Sequence, residues 1–401
     1  MYKLKHPIII LYILFSSVVS YSQLMVETFT TSFEASGGIS VDKNGVIYVA
    51  NFGALLNNAN GTQVWKLFPD GSKSIFATGL FGASGNCFGP DGYLYQSNIA
   101  ANRISKIDTN GNVVTFATAN IFNPVGVAID KMGNVFVANC GSNTIAKITS
   151  QGVSSVYASS NLLSCPNGLT IDSNRNLYTC NFSNGNVLKI DTTGTVSILA
   201  TIPGGTAYPG GNNGHLTFAN EVLYVVGRGG NQIWEVTLDG DTTLIAGTGI
   251  RGQLDGPALE STWSVPNGIR ASLTGDTLYI NDAVPLSGPN LNPIVVRRIF
   301  GLTTSVQSLG SETPDNFNLY QNYPNPFNPS TKIKFDIANA SNVSLKVYDS
   351  LGRLVRVVFD KKLSAGSYES RFVADQLPSG VYYYSLITNN DTQTNKMILV
   401  R

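Results

Sequence analysis

The sequence predicts an all-β chain. Three observations carry that prediction: strand-forming runs dominate with no helix-period run among them, turn residues punctuate them every few positions, and one four-run unit recurs along the first three quarters. Gly supplies 40 of 401 residues and charged residues only 13%, which suits many turns and little helical surface.

Residues 1–22 read as a signal peptide. Lys3 and Lys5 precede the apolar run 7–15, and Ser20 and Ser22 fit a cleavage site before Gln23. That run is too short to span a bilayer comfortably. Its removal leaves 24 Lys and Arg against 25 Asp and Glu. No basic stripe remains to suggest nucleic acid or an anionic membrane as a partner.

Residues 23–305 carry the repeat. Its clearest copy has runs at Gly126–Asp130, Asn134–Asn139, Thr144–Ile148 and Val153–Ala158. The second run of each unit holds an aromatic anchor: Tyr48, Tyr95, Phe136, Tyr178, Tyr224 and Tyr279, spaced by 47, 41, 42, 46 and 55 residues. Four short strands in an up-and-down sheet at this period form the blade of a propeller, so six units predict a six-bladed β-propeller. The sixth unit writes its own fourth strand poorly. Val26–Phe33 reads like the fourth-strand segment Val114–Phe122 but precedes the first unit. The N-terminal strand is therefore expected to complete the last blade and remove the open edge.

Four cysteines follow the signal peptide, without C-x-x-C spacing for zinc. Cys140 follows the second strand of one unit and Cys165 precedes the first strand of the next, which makes them a candidate disulfide in an exported chain. Cys87 and Cys180 fall on strands two units apart and are expected as buried small hydrophobes.

Residues 306–316 read as a linker, and residues 317–401 follow a different grammar. Pro324, Pro326 and Pro329 hold an extended segment, and alternating Ile333, Phe335 and Ile337 begin a strand. Further runs at 343–348, 354–359, 367–372, 381–387 and 396–400 predict an immunoglobulin-like β-sandwich.

Two stretches carry family resemblances. Ala246–Ala258 and Ser264–Ile269, with Asn123-Pro-Val-Gly126 and Cys165-Pro-Asn-Gly168, resemble the blade linkers of NHL-repeat propellers. The tail is similar to the type A C-terminal sorting domain of the type IX secretion system of the Bacteroidota. The resemblance rests on Tyr323-Pro324-Asn325-Pro326-Phe327-Asn328-Pro329, Gly366 with Tyr368, Gly380 with Tyr382, and Lys396-Met-Ile-Leu-Val400. It implies export across both membranes with the type IX machinery as partner. Tail processing and secretion or attachment at the cell surface would follow.

Candidate chemistry concentrates where the first strands enter the central channel. The residue before each entry glycine is Gly37, Ser84, Val125, Asn167, Asn213 or Asn267. The chain also resembles gluconolactonase-like propellers, whose members hold a divalent metal at such entries and hydrolyse lactones or esters. Asn167, Asn213 and Asn267, with Asp282 reaching the mouth, would be the ligand set here. Neutral amides suit a hard cation poorly without carboxylates, so no metal or other cofactor is expected. Asn51, Asn98, Asn139 and Asn181 end the second strands and read as turn caps. Outside the signal peptide His215 is the one histidine, and no G-x-S-x-G elbow is present. Any Ser-His-acid arrangement would have to use it, and a lone acid–base role at the channel, as in propeller lyases, is the alternative. The sequence thus favours a non-catalytic propeller binding a protein or glycan, over a metal-dependent lactonase and over a lyase working through His215.

Overall fold

The computed structural model describes residues 24–400 apart from 204–211, 303–305, 310–313, 329 and 375–376; the expected signal peptide lies outside the described residues. Helix among them is limited to three 3-10 turns of three residues, Ile99–Ala101, Arg228–Gly230 and Ala258–Glu260. Residues 25–300 form propeller-like repeated sheets, six in number among the described residues. Five are four-stranded antiparallel meanders in chain order, such as Pro124–Ile129, Val135–Asn139, Thr144–Ile148 and Ser154–Ser159. The sixth takes Ile269–Ala271, Thr277–Ala283 and Ile294–Phe300 from the end of the repeat, then Met25–Thr28 from its beginning.

The repeat explains the core. In the five meanders each fourth strand carries a bulge, which turns one aromatic or aliphatic residue inward against the anchor of the second strand. Tyr48 meets Phe76 at 4.8 Å between ring centroids, and Tyr95–Phe116 and Phe136–Tyr157 each meet at 5.0 Å, all edge to face. In the sixth sheet the same pair is Tyr279 and Phe29, 5.8 Å apart. Phe29 thus fills the slot that a residue of the sheet's own chain fills elsewhere. Arg298 also pairs with Glu27 across that junction.

One element of this junction is absent from the sequence pattern. The expected linker around Ala246–Ala258 contributes Gly256–Pro257 as a fifth strand outside Met25–Thr28. The N-terminal strand is consequently held on both edges.

The first strands touch in cyclic order. A Cβ on Gly38 would meet Gly85, on Gly85 Val125, on Gly126 Asn167, on Gly168 Leu216, on Gly214 Asn267, and on Gly268 Gly37. Backbone of one strand occupies the place a side chain would need on the next, so glycine is required at these entries.

The tail builds two four-stranded antiparallel sheets that share one core, including Ile333, Phe335, Leu345, Tyr384 and Met397. The stretch read as a linker differs from expectation: Val306–Ser308 pairs with Gly366–Val373 and belongs to the first of these sheets. Three residues are too short for an alternating pattern to stand out in a Ser- and Thr-rich segment.

Candidate functional site

Where the first strands enter the ring, polar side chains mostly serve the neighbouring backbone. Asn167 Nδ2 donates to the carbonyls of Asn213 (3.0 Å) and Gly214 (3.1 Å), and Asn267 Nδ2 donates to that of Ser36 (2.8 Å). Asn281 donates to Ala35 (2.9 Å) and Gly37 (2.6 Å), while Ser97 Oγ reaches Val125 O at 2.7 Å. Glycine-rich entries leave carbonyls facing the axis without ladder partners, and these side chains supply the donors.

Asn213 breaks the pattern. It is fully buried, yet neither its Nδ2 nor its Oδ1 has a hydrogen-bond partner among the described residues. His215 lies two residues on. It is buried, its backbone N–H donates to Asn267 O at 2.8 Å, and its Nε2 is likewise without a partner among the described residues. Burial, reinforced by the Arg228 cation, lowers its pKa from 6.5 to about 4. Arg228 itself is 2% exposed, with its guanidinium 5.8 Å from the Phe182 ring centroid. The structure therefore gathers Asn213, His215 and Arg228 at one side of the entry pole.

Arg228 escaped the sequence reading, although a signal was available. It follows the second strand of its unit, where the earlier units place Phe52, Ile99, Cys140 and Phe182. An arginine among such residues marks a departure from the repeat.

Asp282 does not serve the channel. One carboxylate oxygen accepts from Ser264 N at 2.6 Å and the other from Arg297 Nη1 at 3.1 Å. The first bond is a latch that Asn98, Asn139 and Asn181 make elsewhere, accepting from the backbone N–H of Phe81, Phe122 and Ser164. Asp282 is the charged version of that latch, and its charge faces Arg297. Burial pushes its carboxyl up to about 7, with Arg297 pulling the other way.

Asp282 is committed to Arg297, and no group of three His, Cys, Asp or Glu converges among the described residues.

Cys140 and Cys165 form a disulfide that joins the loops of two neighbouring sheets, and Cys87 and Cys180 are buried and free. In the tail, Phe327 is buried and brackets the last strand, donating to Ile398 O (2.9 Å) and accepting from Val400 N (3.0 Å). Asn325 Oδ1 accepts from Ile398 N at 2.9 Å, and cis peptide bonds precede Pro324 and Pro326. Tyr368 and Tyr382 donate to Ser364 O and Pro378 O, each at 2.8 Å, at the starts of the strands that Gly366 and Gly380 open. Lys396 pairs with Tyr383 in the last hairpin, Asn328 is exposed, and Pro329 lies outside the described residues. Tyr323 stands 79% exposed.

Residues 32–246 match the virginiamycin B lyase family, and residues 321–400 match the secretion system C-terminal sorting domain. Among solved structures, a catalytically inactive histidine-to-alanine virginiamycin B lyase from Staphylococcus aureus with quinupristin is similar. It is 18% identical with a TM-score of 0.50, covering 69% of this chain and 100% of that one. An auxiliary nutrient binding protein from Bacteroides ovatus is 14% identical with a TM-score of 0.56, over 69% and 76%. A gluconolactonase from Xanthomonas campestris is 13% identical with a TM-score of 0.51, over 69% and 89%. No curated protein matches.

Proposed function

From the premise that the chain belongs to the virginiamycin B lyase family and ends in a type IX sorting domain, we propose that it is an exported binding module rather than a catalyst. Residues 23–305 are read as a closed six-bladed propeller and the tail to residue 401 as an immunoglobulin-like sandwich that engages the secretion machinery. After export the propeller works in the medium or attached to the outer-membrane surface. Its ligand is a protein segment or glycan, held at the entry pole beside Asn213, His215 and Arg228.

The state of His215 carries this reading. A general base for proton abstraction works best with a pKa near the operating pH. Here burial and a neighbouring cation both hold the imidazole neutral and weakly basic. It is better suited to accept or donate one hydrogen bond, as are the unspent amide atoms of Asn213. A buried polar group left unpaired costs about 1–3 kcal/mol, and a polar ligand would relieve that cost.

Family membership favours a second reading, a lyase acting through His215. One experiment separates the two. The mature full-length chain is screened on glycan and peptide arrays beside Asn213→Ala, and is incubated with quinupristin under mass spectrometry. Binding weakened by Asn213→Ala with quinupristin intact supports the binding module. Enzymatic loss of quinupristin that His215→Ala abolishes would replace it with the lyase.

A further inference from the structure

The opposite pole, where the first strands end, carries a different departure from the repeat. The residue paired with the anchor aromatic is Ser40, Cys87, Ala128, Thr170 or Thr217 in five sheets, and Arg270 in the sixth, opposite Tyr279. Small side chains suit a place where strands converge on an axis. The arginine is accommodated because it lines a cavity of about 310 Å³ that also includes Val41, Thr217, Asn220, Ser272 and Thr274.

The same sheet has lost the carboxylate its position would supply. After the first strand, other sheets place an aspartate that accepts the anchor hydroxyl: Asp91 from Tyr95 at 2.9 Å, and Asp172 from Tyr178 at 3.1 Å. In the sixth sheet Ser272 stands there instead. The nearest acid in that turn, Asp276, accepts from Ser272 Oγ (2.8 Å) and Thr274 Oγ1 (2.7 Å). No carboxylate among the described residues pairs with the Arg270 guanidinium. The fifth sheet also lacks the aspartate, with Ala219 at that place, but it keeps the small Thr217; the sixth alone pairs the loss with an added cation. A half-buried guanidinium without a carboxylate is a planar fork with five donors, matched to the paired oxygens of a carboxylate or phosphate.

We propose that this cavity is a binding site for a small oxyanion held by Arg270, independent of the entry pole. The shared chemistry is a carboxylate or phosphate group in the fork, with the remainder of the molecule among Val41, Thr217 and Asn220.

The test titrates the mature full-length chain with sodium glucuronate and with inorganic phosphate by calorimetry, against sodium chloride at constant ionic strength. Saturable binding of one probe is expected, and which probe binds identifies a sugar acid or a phosphate as the source. Arg270→Thr, which installs the side chain two other sheets carry, should weaken it by about tenfold or more, the worth of a charge-assisted hydrogen bond. Arg270→Lys, keeping the charge and losing the fork, should bind with intermediate affinity. Absence of saturable binding by either probe, or equal affinity in folded Arg270→Thr, would overturn the proposal. Neither result bears on Asn213 or His215, so the entry-pole reading stands or falls separately.

Discussion

Removing Arg297 tests whether the sixth sheet is locked by charge. Its side chain is completely buried and makes five hydrogen bonds: to Asp255 Oδ1 from Nε (3.1 Å) and Nη2 (2.7 Å), to Asp282 Oδ2 (3.1 Å), and to the carbonyls of Thr262 (2.6 Å) and Leu254 (2.7 Å). Its guanidinium also lies 4.2 Å from the Trp263 ring centroid. Asp255 in turn accepts from Thr28 N at 2.8 Å, so the cluster reaches the N-terminal strand. Arg297→Met keeps the length of the side chain but strands the buried Asp282 carboxylate and two carbonyls. Breaking a buried pair from one side costs about 3–5 kcal/mol. Asp255 is 39% exposed and adds little, because solvent screens it.

The expected loss is about 4 kcal/mol, a large share of the roughly 5–15 kcal/mol that holds a domain together. Adding Asp282→Asn should recover about 2 kcal/mol, because an asparagine there can still accept from Ser264 N as Asn98 does from Phe81, with no charge left behind. All three tryptophans, Trp65, Trp234 and Trp263, lie before residue 305, so urea melts followed by tryptophan fluorescence at pH 8 report the propeller without the tail. A loss below about 1 kcal/mol in Arg297→Met, or a double variant weaker than either single, would refute the reasoning.

Further outcomes follow from the same structure. The folded pKa of His215, about 4, lies below its ordinary 6.5, so the folded state binds fewer protons between those values. Stability should therefore fall by up to about 3 kcal/mol as pH drops through that window, and urea midpoints of His215→Asn should lack this component. Cys140 and Cys165 close a loop of sequence separation 25, so replacing both with serine should cost about 3 kcal/mol, read as a lower melting temperature that reductant no longer changes. Chelator should leave the melting temperature unchanged; a clear drop would restore a metal site to the channel. Truncation before Val306, which removes the whole tail sheet, should leave the propeller in the periplasm on fractionation, whereas normal export would remove the sorting role of the tail.

The repeat by itself determined the all-β class, the strand boundaries near the anchors and the use of Val26–Phe33 as a displaced fourth strand. Those features are written locally, as alternation and as an aromatic at a fixed place in each unit. The tail motif and the half-cystines Cys140 and Cys165 were legible for the same reason. Tertiary structure alone decided what the exceptions do. Asp282 read as a channel residue because it lies at a strand end, yet its second oxygen turns to Arg297, which is 15 residues away. Arg228 and Arg270 are ordinary letters in the chain until three-dimensional register sets each beside its counterparts in other sheets. A repeat specifies through local pattern which strand pairs with which. The charge a buried side chain meets depends on which side chains pairing and packing set beside it, as Arg297 meets Asp282 from the adjacent strand and Asp255 from 42 residues away, and local alternation does not hold that information.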